Sequence, residues 1–129
     1  VSNKAGNSDI WVMNADGSSP RQLTTNPNGD GFPRWSPDGR HILFVSDREG
    51  YQRLFIMDSD GKNVRRLSAK LPADDTMPNW ALDGKAVVFA SNRANKDWEI
   101  YIMSVASGKW QRLTIDFPLI MDRYPAWHQ

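Results

Sequence analysis

Short apolar runs that alternate with polar turns set the pattern of this 129-residue chain. Between residues 32 and 67, two apolar runs alternate with the turns Asp38-Gly39 and Asp60-Gly61. An Asp-Gly pair between runs of this kind is typical of a tight β-hairpin turn. The stretch therefore predicts four antiparallel strands. They are strand A around Trp35, strand B over 41–45, strand C over 53–58 and strand D over 63–68.

The features of this stretch recur along the chain. Strand C recurs as DIWVM at 9–13, RLFIM at 53–57 and EIYIM at 99–103, and the Pro-x-Trp of strand A recurs at 33–35, 78–80 and 125–127. One hairpin in about 22 residues and one four-stranded unit in about 45 match the period of a propeller blade. The fold class predicted is all-β, a β-propeller of four-stranded antiparallel blades with three blades' worth in the chain.

The repeats predict a single propeller segment over residues 1–129. Residues 1–24 hold the end of strand B with strands C and D of a first blade, 30–68 and 75–114 are complete blades, and 122–129 is an orphan strand A. Strands that are apolar on both faces need a sheet on each side, and closed propellers have roughly four to eight blades. We therefore expect a six-bladed homodimer, in which the orphan strand of each copy completes the first blade of the other. The alternative is excision from a longer polypeptide that carries the other blades.

Composition narrows the classes of partner. The net charge is +1, with 16 basic and 15 acidic residues interspersed, which argues against a surface that tracks phosphates. We expect no nucleic-acid partner. The apolar runs are too short to span a bilayer, so no membrane insertion is expected.

Three segments carry a family resemblance: WSPDG at 35–39, HILFVSDREG at 41–50 and RLFIMDSDG at 53–61. Together they closely resemble the repeat of TolB-like, or WD-like, β-propellers. The resemblance implies a periplasmic or extracellular location, although the chain shows no signal peptide. It leaves function open, because such repeats occur in a translocation protein that binds protein segments, in gating domains of serine peptidases, in polysaccharide lyases and in sensors.

Catalytic residues are not predicted. The chain has no Gly-x-Ser-x-Gly sequence and two histidines, His41 and His128, which are better explained as surface or turn residues than as a catalytic base. Four of the thirteen aspartates, at positions 16, 38, 60 and 83, are accounted for by Asp-Gly turns. We therefore predict a protein that is not an enzyme.

A separate aspartate series is the candidate metal site. Asp30, Asp75 and Asp122 each stand three residues before the proline of strand A. If strand A is innermost, these carboxylates meet at one mouth of the central channel, where their mutual repulsion favours a bound cation. The family resemblance implies calcium in the channel, while no cofactor is expected to be required. The alternative is that each aspartate accepts hydrogen bonds from its own loop.

A second recurring set follows strand B, as Ser46-Asp47-Arg48, Ser91-Asn92-Arg93 and Ser2-Asn3-Lys4. Because the set recurs in every copy, it is explained best by turn hydrogen bonds with a salt bridge between blades. The alternative is one anion-binding position in each blade.

The loop that precedes the last strand A does not repeat. It carries four apolar residues without counterparts and a nearby arginine: Phe117, Leu119, Ile120, Met121 and Arg123. Apolar side chains in such a loop either cap a blade or form a contact patch, so these five are the candidate partner-binding residues. The function predicted is a non-catalytic scaffold that assembles by blade completion and binds a protein or peptide on a propeller face or channel mouth. The alternatives are the gating propeller of a larger hydrolase and an engineered or truncated repeat assembly without a native ligand.

Overall fold

The computed structural model describes residues 1–3 and 6–114, which form ten strands. Their bounds are β1 (Trp11–Val12), β2 (Arg21–Gln22), β3 (Asp30–Trp35), β4 (His41–Ser46), β5 (Arg53–Asp58), β6 (Arg65–Arg66), β7 (Asp75–Trp80), β8 (Ala86–Ala94), β9 (Asp97–Ser104) and β10 (Trp110–Arg112). No helix in this part of the chain is long and apolar enough to cross a bilayer.

The strands form three antiparallel sheets that follow the order of the chain. Strands β1 and β2 form the first blade, β3 to β6 the second, and β7 to β10 the third. Within each sheet, every strand pairs with the next one along the chain, as consecutive hairpins dictate. The prediction of four-stranded antiparallel blades is confirmed.

Strand D is shorter than the sequence pattern predicts. In the second blade it covers Arg65–Arg66 instead of 63–68, because Asn63 adopts a left-handed conformation with φ of 55°. Beyond β6, the Leu54 carbonyl accepts hydrogen bonds from the amides of Leu67 and Ser68, and the Leu54 amide donates to the Ser68 hydroxyl at 3.0 Å. The Ser68 hydroxyl thus takes the place of a backbone acceptor at the outer edge of the blade.

Strand A contains a bulge that recurs in both complete blades. The register with strand B shifts between Gly31 and Arg34 in β3, and between Thr76 and Asn79 in β7. Inside each bulge, the residue before proline has φ of 52°, Phe32 in one blade and Met77 in the other. Such conformations cost about 1–3 kcal/mol each for a residue other than glycine. The bulge therefore belongs to the repeat and is held by the surrounding sheet.

The core lies between blades. Ile10 of the first blade, with half-buried Leu23, packs on one face of the second blade, whose residues there are Ile42, Phe44, Phe55 and Met57. The other face of the second blade presents Leu43, Val45, Leu54, Ile56 and Leu67 to Val87, Phe89, Tyr101 and Met103 of the third. The second blade is thus covered on both faces by its neighbours, which is why its strands B and C are apolar without alternation.

Candidate functional site

A buried ion pair recurs in the two complete blades at the start of strand A. Arg48 Nη2 donates to both carboxylate oxygens of Asp30 at 3.1 Å, and Arg93 Nη2 donates to Asp75 Oδ1 at 2.8 Å. In each blade, the arginine Nε also donates to the serine two residues earlier at 2.9 Å. The recurring serine and arginine therefore orient one another and hold the aspartate.

Each of these arginines lies against aromatic rings of its own blade. The guanidinium carbon of Arg48 is 4.8 Å from the Phe55 ring centroid, and that of Arg93 is 4.6 Å from the Trp110 centroid. Cations over ring faces are stabilised by the ring quadrupole. Burial raises the pKa of Tyr101, which also lies under Arg93, while the positive charge of Arg93 opposes that rise.

The salt bridge lies within a blade, and the prediction that it would join two blades is wrong. Its aspartate makes the inter-blade link through the backbone instead. The Asp30 amide donates to the Ser8 carbonyl of the preceding blade at 2.7 Å, and the Asp75 amide donates to the Gln52 carbonyl at 2.8 Å. In each case, the aspartate side chain binds the arginine of its own blade, and the aspartate amide binds the backbone of the preceding blade.

The candidate metal residues are placed by these contacts. Asp30 and Asp75 are each about 1% exposed and already face a guanidinium. Asp122 lies outside the described residues. Within residues 1–3 and 6–114, no three acidic or histidine side chains are grouped closely enough to hold a metal ion. The calcium site therefore stays a prediction, in which a cation would compete with two arginines.

The outward face of the first blade exposes a residue that is buried in the other two. Met57 and Met103, at equivalent positions of strand C, are each 1% exposed because the preceding blade covers them. Met13 stands at the same position of the first blade and is 64% exposed. An open cavity of about 240 Å³ lies beside it, lined by Val1, Ser2, Trp11, Val12, Met13 and Pro20.

The third blade has a matching outward face. Leu67 of the second blade is 8% exposed because the third blade covers it, whereas the equivalent Leu113 of the third blade is 49% exposed. We call the outward face around Met13 the leading face, and the one around Leu113 the trailing face. At both internal junctions, a face equivalent to the trailing face packs on a face equivalent to the leading face.

A mixed cavity of about 270 Å³ opens between the second and third blades at the turns that follow strand A. It is lined by Ser36, Pro37, Asp38, His41, Ile56, Arg65, Trp80, Asp83, Gly84 and Val105. His41 Nε2 is 3.6 Å from Asp58 Oδ1 on the neighbouring strand, and both side chains are more than 40% exposed. This geometry is that of a surface cross-strand pair. His128 and the candidate partner-binding residues Phe117, Leu119, Ile120, Met121 and Arg123 lie outside the described residues.

The sequence analysis did not pair these aspartates with arginines, although the spacing between the two residue types indicates the pairs. Asp30 precedes Arg48 by 18 residues, and Asp75 precedes Arg93 by the same distance. A constant offset between opposite charges in two repeats indicates a pair within the repeat. It also missed Glu49, which accepts hydrogen bonds from Arg66 at 2.9 and 3.1 Å and has no charged counterpart in the other blades.

Blades of four antiparallel strands that bury their residues against one another define a β-propeller segment. The sequence model for the "Tricorn protease N-terminal beta propeller domain" matches residues 5–116, so the chain belongs to that family. The prediction of a TolB-like propeller is confirmed at this level.

Individual relatives agree with this assignment. Over 62 residues, the chain is 39% identical to the uncharacterized peptidase YuxL of Bacillus subtilis, covering 47% of this chain and 9% of the peptidase. It is 40% identical over 55 residues to the Tol-Pal system protein TolB of Bordetella pertussis, covering 42% and 13%. The crystal structure of TolB from Acinetobacter baumannii superposes with a TM-score of 0.79 at 25% identity, covering 93% of this chain and 29% of that one. The chain thus spans less than a third of each of these three proteins.

Proposed function

We propose that this chain is a non-catalytic propeller scaffold that assembles with a second copy, the leading face of each copy packing on the trailing face of the other. The observation that carries the proposal is the exposure of Met13 at a position where Met57 and Met103 are buried. Two copies of three blades give six, within the range of closed propellers.

The energetics favour covering these faces. Burying a methionine or leucine side chain is worth about 1.5–3 kcal/mol, and Met13 and Leu113 are part of larger apolar faces. The internal junctions supply the pattern of the contact, because Leu23 and Ile10 share one core cluster with Met57, and Leu67 shares another with Met103. By repeat equivalence, Leu113 of one copy would meet Met13 of the other.

Ligand binding belongs to the same proposal. The loop residues Phe117, Leu119, Ile120, Met121 and Arg123 would form a contact patch for a protein or peptide on the propeller face or at the channel mouth. The resemblance to TolB-like propellers, which include a translocation protein that binds protein segments, supports a protein-binding role and a periplasmic or extracellular location. Replacing Ile120 and Met121 by Ser should leave the melting temperature unchanged if the patch is exposed, and a large fall would assign the loop to the core.

A second candidate function is the propeller portion of a larger peptidase. It is favoured by the family to which the chain belongs and by its identity to a protein named as a peptidase. In that case, further blades of the same polypeptide would cover the leading and trailing faces. The chain by itself would then stay monomeric or aggregate.

The experiment that separates the two candidates compares charge substitutions of matched exposure. Met13→Lys places a charge in the proposed junction, while Leu82→Lys changes a side chain of nearly equal exposure, 65% against 64%, in a turn away from both faces. Light scattering should give a dimer for the unmodified chain and Leu82→Lys, and a monomer for Met13→Lys. A monomer in all three cases would favour the peptidase portion.

A further inference from the structure

The position two residues before the central aromatic residue of strand C carries a buried ionisable side chain in all three blades. Asp9, Arg53 and Glu99 hold this position, and each is at most 4% exposed. A buried charge is stable only when an opposite charge or strong hydrogen bonds offset its lost hydration. The partners that each blade provides therefore show what the position requires.

The second blade places a cation at this position. The Arg53 guanidinium donates from Nη1 to the Ala69 carbonyl at 3.1 Å and from Nη2 to the Leu71 carbonyl at 2.6 Å. Both carbonyls belong to the loop that connects strand D to the next strand A. A Glu49 carboxylate oxygen lies 3.7 Å from Arg53 Nε and balances the charge. A positive charge thus holds the loop carbonyls of the second blade.

The first blade has carbonyls of the equivalent loop at this position but a carboxylate in place of the guanidinium. Asn7 Nδ2 donates to the Asn26 carbonyl at 2.7 Å and to the Asn28 carbonyl at 2.9 Å. The same nitrogen is 3.5 Å from Asp9 Oδ1, and Thr24 Oγ1 is equally far from that oxygen. An amide nitrogen has two hydrogens, and the two carbonyls use both. Three oxygens therefore surround one point, and the charged one has no close donor among the described residues.

Within the described part of the chain, Asp9 has no charged partner. It is 1% exposed, its Oδ2 accepts from Gln22 Nε2 at 3.0 Å, and none of the ion pairs there includes it. In the third blade, by contrast, Thr114 Oγ1 donates to Glu99, and Arg112 Nη1 lies 4.0 Å from the same carboxylate. The buried charge of the first blade thus lacks the cation that the described residues provide in the other two blades.

We propose that the first blade binds a monovalent metal cation, with potassium the best fit by size, between Asp9 Oδ1 and the carbonyls of Asn26 and Asn28. Oxygen ligands favour hard cations, and backbone carbonyls replace the hydration shell of alkali ions in channels and transporters. A single carboxylate balances a single positive charge, which is also the charge that Arg53 supplies in the second blade. Rotation of the Asn7 amide by half a turn exchanges its NH₂ group for Oδ1, which adds a further oxygen ligand.

The distances favour a large ion over calcium. The two carbonyl oxygens lie 2.7 and 2.9 Å from the point that Asn7 Nδ2 occupies, whereas calcium sites have oxygens at about 2.3–2.6 Å and commonly use several carboxylates. The cation fastens the loop that leads into the second blade. That loop ends at Asp30, whose amide donates to the Ser8 carbonyl at 2.7 Å across the junction of the two blades. Bound potassium therefore stabilises this junction.

Melting temperatures in potassium chloride and in tetramethylammonium chloride of equal ionic strength test the site. With potassium at about four times its Kd, the unmodified chain should melt about 3–5 °C higher than in the organic salt. Asp9→Asn removes the charge and should abolish this rise. Glu99→Gln, the same change at the equivalent position of the third blade, should keep it. Sodium should give a smaller rise, because a smaller ion requires the two carbonyls to move closer together.

Sodium-23 NMR provides a second measurement that needs no variant. The unmodified chain should broaden the sodium resonance, and added potassium should narrow it again by displacing the bound ion. Equal melting temperatures in the two salts, together with no broadening of the sodium resonance, would overturn the cation site and assign the position to a water molecule. A full rise in Asp9→Asn, or a larger rise with calcium than with potassium, would also overturn it.

Discussion

Arg93 and Asp75 form an ion pair in which Nη2 and Oδ1 are 2.8 Å apart and the side chains are 4% and 1% exposed. The equivalent pair of Arg48 and Asp30 is looser, at 3.1 Å with the arginine 18% exposed. Both aspartates also link their blade to the preceding one through the backbone. The pair therefore stabilises the junction at which each blade begins.

Removing the arginine should leave a buried carboxylate without a partner. We expect Arg93→Met to lower the free energy of unfolding by about 3–5 kcal/mol, because an unpaired buried charge keeps its full desolvation cost. Urea denaturation followed by circular dichroism measures the change. Combining Arg93→Met with Asp75→Asn should recover a large part of the loss, and a double variant no more stable than the single one would contradict this explanation.

Gly61 tests the contact between the first and second blades. Its φ is +90°, and a Cβ there would lie 3.1 Å from the Leu23 carbonyl oxygen, whereas a Cβ at Gly17, with φ of +85°, would meet nothing within 4 Å. Gly17→Ala should cost about 1–2 kcal/mol from backbone strain alone. Gly61→Ala should cost measurably more in the same denaturation experiment, because the Leu23 backbone must also shift. Equal losses of stability in the two variants would show that the Leu23 backbone shifts at no cost in free energy.

Glu49 should make stability depend on pH. Hydrogen bonding to Arg66 holds the pKa of Glu49 below its ordinary value of 4.5, with smaller contributions from Lys70 and Arg53. A lowered pKa stabilises the fold above pH 4.5, and the effect is lost as pH falls through the pKa of the folded state. Glu49→Gln should therefore lower the melting temperature at pH 7 and leave it unchanged near pH 2. A constant difference at both pH values would contradict this account, and the exposed Asp47→Asn serves as the control.

Calcium titration tests the predicted metal site against the arginine pairs. If the arginines keep their hold on Asp30 and Asp75, calcium added to chelator-treated protein should give no heat and no rise in melting temperature. Heat that disappears in Asp75→Asn would instead assign the cation to these carboxylates. Magnesium in place of calcium controls for general ionic effects.

The blades were predictable from the sequence because their signals are local and recur. Asp-Gly turns and apolar runs fix hairpins within a few residues, and the periodic tryptophan sets the unit. The bulges at Phe32 and Met77 were not predictable, since residues before proline rarely adopt positive φ and only the assembled sheet holds them there.

The site was harder to predict because its contacts join residues from different strands. Asp30 and Asp75 have the spacing expected of channel carboxylates, yet the structure places arginines against both. The exposure of Met13 could not be foreseen from its own sequence, since the same strand pattern is buried at Met57. The exposure of a methionine at this position depends on whether a preceding blade covers it.

The proposed homodimer covers the leading face of each copy with the trailing face of the other. Its most direct test is the mass in solution, measured by light scattering with size-exclusion chromatography over a hundredfold range of concentration. The expected mass is about twice the 14.7 kDa of one chain. A well-folded species at 14.7 kDa across the whole range would contradict it.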